Sequence, residues 1–454
     1  MPRVVIISPP FFSHARPLSV LAAALRARGA DVHFACAEAF EDLAVRAGVR
    51  FEPLTVTRNA NTGVAEATEQ AAQERARLGE FLDATRQGAI ATLTTQARHR
   101  RADMLADPDT VFEDLRALDA RLRPDWYVVD QLSYAVTLAL HCLRVPYATF
   151  CPGHPTYVLA DADSWFGVPY AWPAALRPAP RQLTDLMATA QENDRTFTAL
   201  FDTFARDNAP AAPRPGRAFA LTSPHAVVYS YPQLPWLPAP GAGPEQVYAG
   251  HMVGPAEPLD DAWARRLRHL RDRAERVVLV ALGTFLAARD DVLRALVSGV
   301  LTGTTDTSVV VAAGERTAAL ADLAGDRVVV APSVPQQALL PHVDAMVHHG
   351  GNNSFTECLR FGVPALILPF SSDQFAVAHD AERAGVGLVR APNQLSPHDV
   401  PAALDAVHTT VRPGLARWAQ TFDERGPDYA AARLLAVMDQ DLRPVPGGRR
   451  SRVG

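Results

Sequence analysis

The sequence predicts an α/β protein made of two doubly wound parallel sheets in tandem, and three observations predict it. Short all-apolar runs of strand length alternate with helix-length amphipathic segments, the pattern of parallel strands buried on both faces. The chain has 454 residues, enough for two or three domains. Of its 37 prolines, 17 fall between Pro152 and Pro258 and separate two α/β halves.

The elements follow in order. Residues 4–7 (VVII) form a buried strand that runs into Pro9 and Pro10. Leu18, Leu21, Ala22 and Leu25 recur at helical spacing, Gly29 suits the helix end, and 32–35 give the next strand. The same alternation returns at 126–129, 135–142 and 147–150. Residues 59–121 are polar and helical, too long for a simple connection, and are expected to lay helices over one face of the sheet. The proline-dense middle is expected to block regular helices and strands, and 233–258, the densest in Pro and Gly, reads as the interdomain linker. A helix follows around 263–273, then strands at 277–282, 308–312, 327–330, 345–347 and 365–368. The expected domains are thus 1–232, a linker 233–258, a second Rossmann-like unit 259–427, and a closing helix and tail at 428–454.

Composition narrows the function. Apolar residues make up 48% and charged residues 20%, an ordinary globular balance. Lys plus Arg total 44 against 49 Asp plus Glu, so no field gathers nucleic acid or anionic lipid. The basic cluster Arg98, His99, Arg100, Arg101 and the tail Arg449, Arg450, Arg452 read as solvated surface. Cys36, Cys142, Cys151 and Cys358 include no CxxC pair, which points away from a metal cluster or disulfide framework and toward a reducing compartment. The apolar run at 4–7 is too short for a signal segment, and Asp130, His141 and Arg144 interrupt the best membrane-span candidate. The expectation is a cytoplasmic protein of undetermined oligomeric state, with no membrane or nucleic-acid partner.

Residues 348–374, HHGGNNSFTECLRFGVPALILPFSSDQ, carry the most chemistry. Gly350, Gly351, Asn352 and Asn353 suit a tight turn at a strand end, and Ser354 with Glu357 has the spacing of a helix capping box. A helix start there offers free N–H groups at the edge where doubly wound sheets bind nucleotides, and a diphosphate fits it. Standing alone, the Gly pair could simply turn the chain and Glu357 simply cap the helix.

The stretch is not alone. With Val334, Pro335 and Gln336 before it, and His349, Gly351, Asn353, Ser354, Glu357, Gly362, Val363, Pro364, Asp373 and Gln374 within it, the chain resembles the family-one glycosyltransferases over essentially its whole length. These are inverting enzymes of the two-lobed GT-B fold, whose Rossmann-like domains face a cleft. The resemblance implies that His349, Asn353 and Ser354 contact the donor's diphosphate, that Glu357 accepts hydrogen bonds from ribose hydroxyls, and that Asp373 with Gln374 holds the sugar. Gly283 and Thr284 resemble the family's glycine and small hydroxyl residue near the phosphates. Ser333 stands where the family often has a Trp that stacks on the base. Glu357 favours a ribose with its 2′-hydroxyl, hence a UDP-sugar over a dTDP-sugar.

In the first half, His14 stands in the loop after the first strand, at the ligand edge, and imidazole suits a general base at neutral pH. The family carries its base there, although this chain has Ser13 for the usual Gly and Arg16 where Asn is common. Asp130, ending the strand WYVVD, matches the acid that pairs with that His; read alone, it could cap the helix starting near Ser133. The resemblance implies a metal-independent, inverting transfer of a sugar to a hydroxyl or amine of a small-molecule natural product. No cofactor is implied beyond the nucleotide-sugar co-substrate. A catalytically silent nucleotide-sugar-binding partner of another transferase, and a nucleotide-sugar epimerase on the same scaffold, are the rival readings. Asp161 and Asp163 spell DxD in a Pro-rich loop with no strand before it and are not expected to bind metal. Trp165, Phe166, Tyr170 and Trp172 could line an acceptor pocket or simply pack.

Overall fold

The computed structural model describes residues 1–57, 60–63, 65, 72–103, 105, 107–159, 161–237, 243–255, 257–411, 415, 418, 422 and 424–442. Its first sheet is seven-stranded: β1 (Arg3–Ile7), β2 (Asp31–Cys36), β3 (Arg50–Pro53), β4 (Trp126–Asp130), β5 (Tyr147–Cys151), β6 (Ala226–Tyr229) and β7 (Glu245–Tyr248), in spatial order β3-β2-β1-β4-β5-β6-β7. The second sheet is six-stranded: β8 (Arg276–Ala281), β9 (Thr307–Ala312), β10 (Val328–Ala331), β11 (Ala345–His348), β12 (Ala365–Ile367) and β13 (Gly387–Val389), in order β10-β9-β8-β11-β12-β13. Every pairing in both sheets is parallel. The two-lobed α/β architecture is the one the sequence predicts.

The alternation of side chains along β1 divides the first core in two. Val4 and Ile6 pack with Leu18, Leu21 and Leu25 of the helix Phe12–Ala27, whereas Val5 and Ile7 pack with Leu115 and Leu118 of the helix Pro108–Leu122 and with Val136 and Leu140 of the helix Tyr134–Leu143. Each such apolar side chain taken fully out of water contributes about 1.5–3 kcal/mol, so the central strand is anchored from both faces. The closing helix Pro427–Leu442 lies on the first lobe: Ala430, Ala431, Leu434 and Met438 share the layer of Val4 and Ile6.

Several expectations are corrected. Proline does not break the whole middle of the chain: Pro180–Asn208 is a 29-residue helix. No proline falls between Arg181 and Ala209, and Leu186, Ala190, Phe197, Phe201 and Phe204 form its buried stripe. Part of the expected linker is β7, the edge strand of the first sheet beside β6. The described part of 59–121 contains the helices Ala72–Gln87, Ala89–Asp103 and Pro108–Leu122. Asn59 and the tail arginines 449, 450 and 452 lie outside the described residues. Among the described residues no helix is long and apolar enough to cross a membrane.

Candidate active site

Strand order places the site. In the first sheet the direction of winding reverses between β1 and β4, and in the second between β8 and β11. Ligands of doubly wound sheets gather at the carboxyl ends of strands at such switch points. His14 follows β1 and Asp130 ends β4, while Gly283 and Thr284 follow β8 and His349 follows β11.

On the first lobe, Ile7 of β1 lies opposite Val129 of β4, so the strand ends deliver neighbouring side chains. His14 is in the first turn of the helix Phe12–Ala27 rather than in a loop, because Phe11 ends the extended segment and the helix starts at once. Its Nδ1 meets Asp130 Oδ2 at 2.9 Å; the imidazole is 18% exposed and the carboxylate fully buried. Asp130 Oδ1 accepts the Leu132 N–H at 2.9 Å, which fixes the carboxylate plane. Burial pushes the imidazole's pKa down, but the charge and hydrogen bond of Asp130, helped by Asp373, outweigh it and hold the value above 6.5. Asp373 belongs to the second lobe, so the two lobes meet electrostatically at His14.

On the second lobe the helix Asn352–Phe361 is capped by Gly351 with no side-chain bond, so the expected Ser354–Glu357 capping box is absent. The turn places the cap three residues early and leaves Ser354 within the first turn. Glu357 instead accepts from Gln336 at 2.6 Å and Gln337 at 2.8 Å, and Gln336 also reaches Ser354 at 3.3 Å. Burial raises the Glu357 pKa against the lowering effect of Gln337, Gln336 and the charge of Arg16. Asn353 donates to the Ser13 carbonyl of the other lobe at 2.9 Å. Thr284 Oγ1 accepts from Asn61 at 3.1 Å, another bond between lobes. Val334 packs against the second core and Ser333 is exposed.

His349 is held by glycines. A Cβ at Gly283 would stand 2.5 Å from its ring and one at Gly351 2.4 Å, and Gly283 also has φ +79°. Burial pushes the His349 pKa down to about 4, so the ring is neutral at physiological pH, and its buried Nδ1 has no hydrogen-bond partner.

Asp373 precedes the helix Gln374–Ala384 at a turn held from the first lobe: Ser372, at φ +54°, exchanges hydrogen bonds with Gln96 at 2.8 and 3.1 Å. Asp373 Oδ2 accepts the His154 N–H at 2.8 Å, and a Cβ at Gly153 would stand 2.7 Å from that oxygen. Burial raises its pKa, opposed by that N–H and by the nearby His154 and His14. Gln374 turns inward: its oxygen accepts from the N–H groups of Phe370 and Ser371 at 2.9 and 3.0 Å and its nitrogen donates to Ser371 Oγ at 3.0 Å.

Sequence reasoning read Asn352 only as a turn residue and missed His154 and Asp380 altogether, yet all three join the lobes. Asn352 donates to the carbonyls of Pro152 and Ser230 at 2.6 and 2.7 Å. His154 and Asp380, both fully buried, meet at 2.8 Å, and Asp380 also accepts from Tyr231, Trp236 and Tyr170. No spacing signals them, since the partners are more than a hundred residues apart. Of the four aromatics that could line an acceptor pocket or pack, Tyr170 donates to Asp380, Trp172 packs on Phe375, Trp165 lies under Arg217, and Phe166 stacks on Phe219 and lies under Arg100. Asp161 accepts the N–H groups of Asp163 and Ser164, closing a turn. Among the described residues no three His, Cys, Asp or Glu side chains gather where they could hold a metal ion.

Residues 298–419 match the C-terminal domain described as erythromycin biosynthesis protein CIII-like. The chain is 26% identical over 423 residues to 4′-demethylrebeccamycin synthase of Lentzea aerocolonigenes, covering 89% of this chain and 91% of that one. The solved glycosyltransferase of kitacinnamycin superposes with a TM-score of 0.68 at 20% identity, over 96% of this chain and 99% of that one. Glycosyltransferase VinC, solved in complex with dTDP, superposes with a TM-score of 0.63 at 22% identity, over 96% and 100%. The chain therefore has the two-lobed fold of these solved glycosyltransferases, and within it residues 298–419 match an erythromycin-CIII-like C-terminal domain.

Proposed function

We propose that this protein transfers a sugar, with inversion and without a metal, from a nucleoside diphosphate donor to a hydroxyl or amine of a small-molecule natural product. The pairing of His14 Nδ1 with Asp130 at 2.9 Å carries the reading. A carboxylate only accepts, so Nδ1 bears the proton and Nε2 keeps its lone pair. Nε2 takes the acceptor's proton as the acceptor oxygen bonds to the anomeric carbon. The bond from that carbon to the diphosphate breaks, and its electron pair leaves with the diphosphate. Asp130 stabilises the imidazolium that results. The free N–H groups at the start of the Asn352–Phe361 helix receive the departing charge. Asp373, close to His14 in electrostatic terms, suits the positive charge that develops on the sugar ring.

Glu357, buried and held by two glutamine amides, suits ribose hydroxyls and supports a UDP-sugar donor. The dTDP bound to VinC supports dTDP-sugars as the second reading. The test incubates the purified chain with UDP-sugars and dTDP-sugars and a panel of polyphenol and polyketide acceptors, with His14→Ala alongside. An unchanged rate in that variant sinks the mechanism; donor binding with no transfer to any acceptor favours a silent binding partner.

A further inference from the structure

Arg98, His99, Arg100 and Arg101 are consecutive, yet the structure treats them differently. Arg98 and His99 both pair with Glu80, and Arg101 donates to Asn193 at 2.9 Å. Arg100 has neither an ion pair nor a hydrogen bond among the described residues. Its guanidinium carbon lies 4.5 Å from the centroid of the Phe166 ring, and the side chain is half-buried. Arg217 makes a similar contact with Trp165 at 4.4 Å, but Asp194 neutralises it at 3.1 Å. A half-buried guanidinium on an aromatic face without an anion lacks the partner that its five donors suit.

The surroundings are built for it. Gly167, at φ +84°, leaves the space: a Cβ there would stand 2.7 Å from Arg100 Nη1. Phe166 is backed on its other neighbours by Phe219, stacked at 5.0 Å, and by Tyr134 and Tyr157 at 6.0 and 4.9 Å. The Tyr134 hydroxyl is buried and has no hydrogen-bond partner. Tyr157 ties this layer to the candidate site: a Cβ at Gly153 would stand 3.1 Å from its ring and 2.7 Å from Asp373 Oδ2, and its carbonyl accepts from Gln131, the residue after Asp130. The cation thus sits on the first lobe, at the edge of an aromatic layer that reaches Asp373 and the end of β4.

We propose that Arg100 is a specificity residue for the acceptor, and that the acceptor is an aromatic small molecule bearing a carboxylate, whose anion the guanidinium receives on the Phe166 bed. This rests on the sugar-transfer reading above and names the substrate class of its acceptor site. Arg100 pairs with the carboxylate bidentately while the rings extend over Tyr134 and Tyr157.

The test titrates the full chain with 6-hydroxy-2-naphthoate and with its methyl ester by ligand fluorescence, in wild type, Arg100→Ala and Arg100→Lys, with UDP and dTDP binding measured in parallel. The acid is expected to bind wild type about tenfold or more tightly than the ester, as a charge-assisted pair worth about 1.5–3 kcal/mol implies. Arg100→Ala is expected to bring the two within about twofold and Arg100→Lys to restore part of the gap. Equal binding of acid and ester to wild type, a gap that survives in Arg100→Ala, or no binding of either probe overturns the proposal. If nucleoside diphosphate binding persists in those cases, the sugar-transfer reading stands and only the acceptor class falls. An acid preference in a chain that binds neither diphosphate upholds the site and overturns sugar transfer.

Discussion

The Asn353 amide donates to the Ser13 carbonyl at 2.9 Å, which joins the first turn of a helix in one lobe to the first turn of a helix in the other, one residue from His14. With the bonds of Asn61 to Thr284 and of His154 to Asp373, it couples the surroundings of His14 to the start of the Asn352–Phe361 helix.

His14→Ala should lower kcat/KM by about 10²–10⁴, the range of a general base. In the proposed role the imidazole starts neutral, and although burial pulls its pKa down, Asp130 outweighs that and holds it above 6.5. Activity should accordingly fall as pH drops through that raised value, and Asp130→Asn should move the acid limb downward as well as slow the reaction. The pair's contribution to stability has the opposite dependence: it is whole below 6.5 and is lost as pH rises through the folded-state value. A pH–rate profile whose acid limb stays fixed in Asp130→Asn removes the dyad.

Gly283→Ala and Gly351→Ala should each displace the His349 ring, since their methyl groups would lie 2.5 and 2.4 Å from it. Calorimetric titration with UDP and dTDP should show weakening of about tenfold or more, equivalent to about 1.4 kcal/mol. Gly216→Ala, with nothing within 4 Å of the added carbon, serves as control and should bind as wild type. Full affinity in both cradle variants would mean that His349 does not face the donor.

Arg16 stands one helical turn beyond Ser13, and its charge reaches Glu357 without an ion pair among the described residues. A donor's diphosphate would be its natural partner in that gap. Arg16→Ala should weaken diphosphate binding about tenfold, leave uridine binding nearly unchanged, and flatten the salt dependence. Equal losses for nucleoside and diphosphate would place Arg16 at the base or ribose instead.

Asp380→Ala should destabilise the full chain by about 3–5 kcal/mol, because it leaves His154 buried without its partner. Burial raises the Asp380 pKa, but the hydrogen bond and charge of His154, with Tyr170 and Trp236, bring it below 3.8. Its contribution is thus present above 3.8 and disappears as pH falls through the lower folded value. Urea denaturation should separate this variant clearly from Asp322→Ala, where the lost ion pair is exposed and screened by water.

What the sequence disclosed depended on how local each signal was. The central strands were legible because VVII and WYVVD are buried on both faces, whereas the edge strands β3 and β7 alternate with Arg, Glu and Gln and carry no such run. The helix Pro180–Asn208 was hidden by averaging prolines over a hundred residues. His14, Asp130, His349, Asn353 and Glu357 stand out by motif spacing, and the structure brings His14 to Asp130 and Asn353 to the Ser13 carbonyl. The Ser354–Glu357 spacing misled, because Gly351 takes the capping position and Glu357 is drawn to Gln336 and Gln337. The bonding partners of Asn352, His154 and Asp380 gave no signal, since they come from the other lobe.

The helix Pro427–Leu442 has a consequence for biosynthesis. Ala430, Leu434 and Met438 complete the apolar layer beside Val4 and Ile6, although the last strand of that sheet ends at Tyr248. At translation speeds of about 5–20 residues per second, the nascent first lobe keeps an uncovered oily flank for roughly 10–40 s after its sheet can pair. Chaperone demand in an expressing cell should track that delay, and truncation before Ala430 should make the flank permanently sticky.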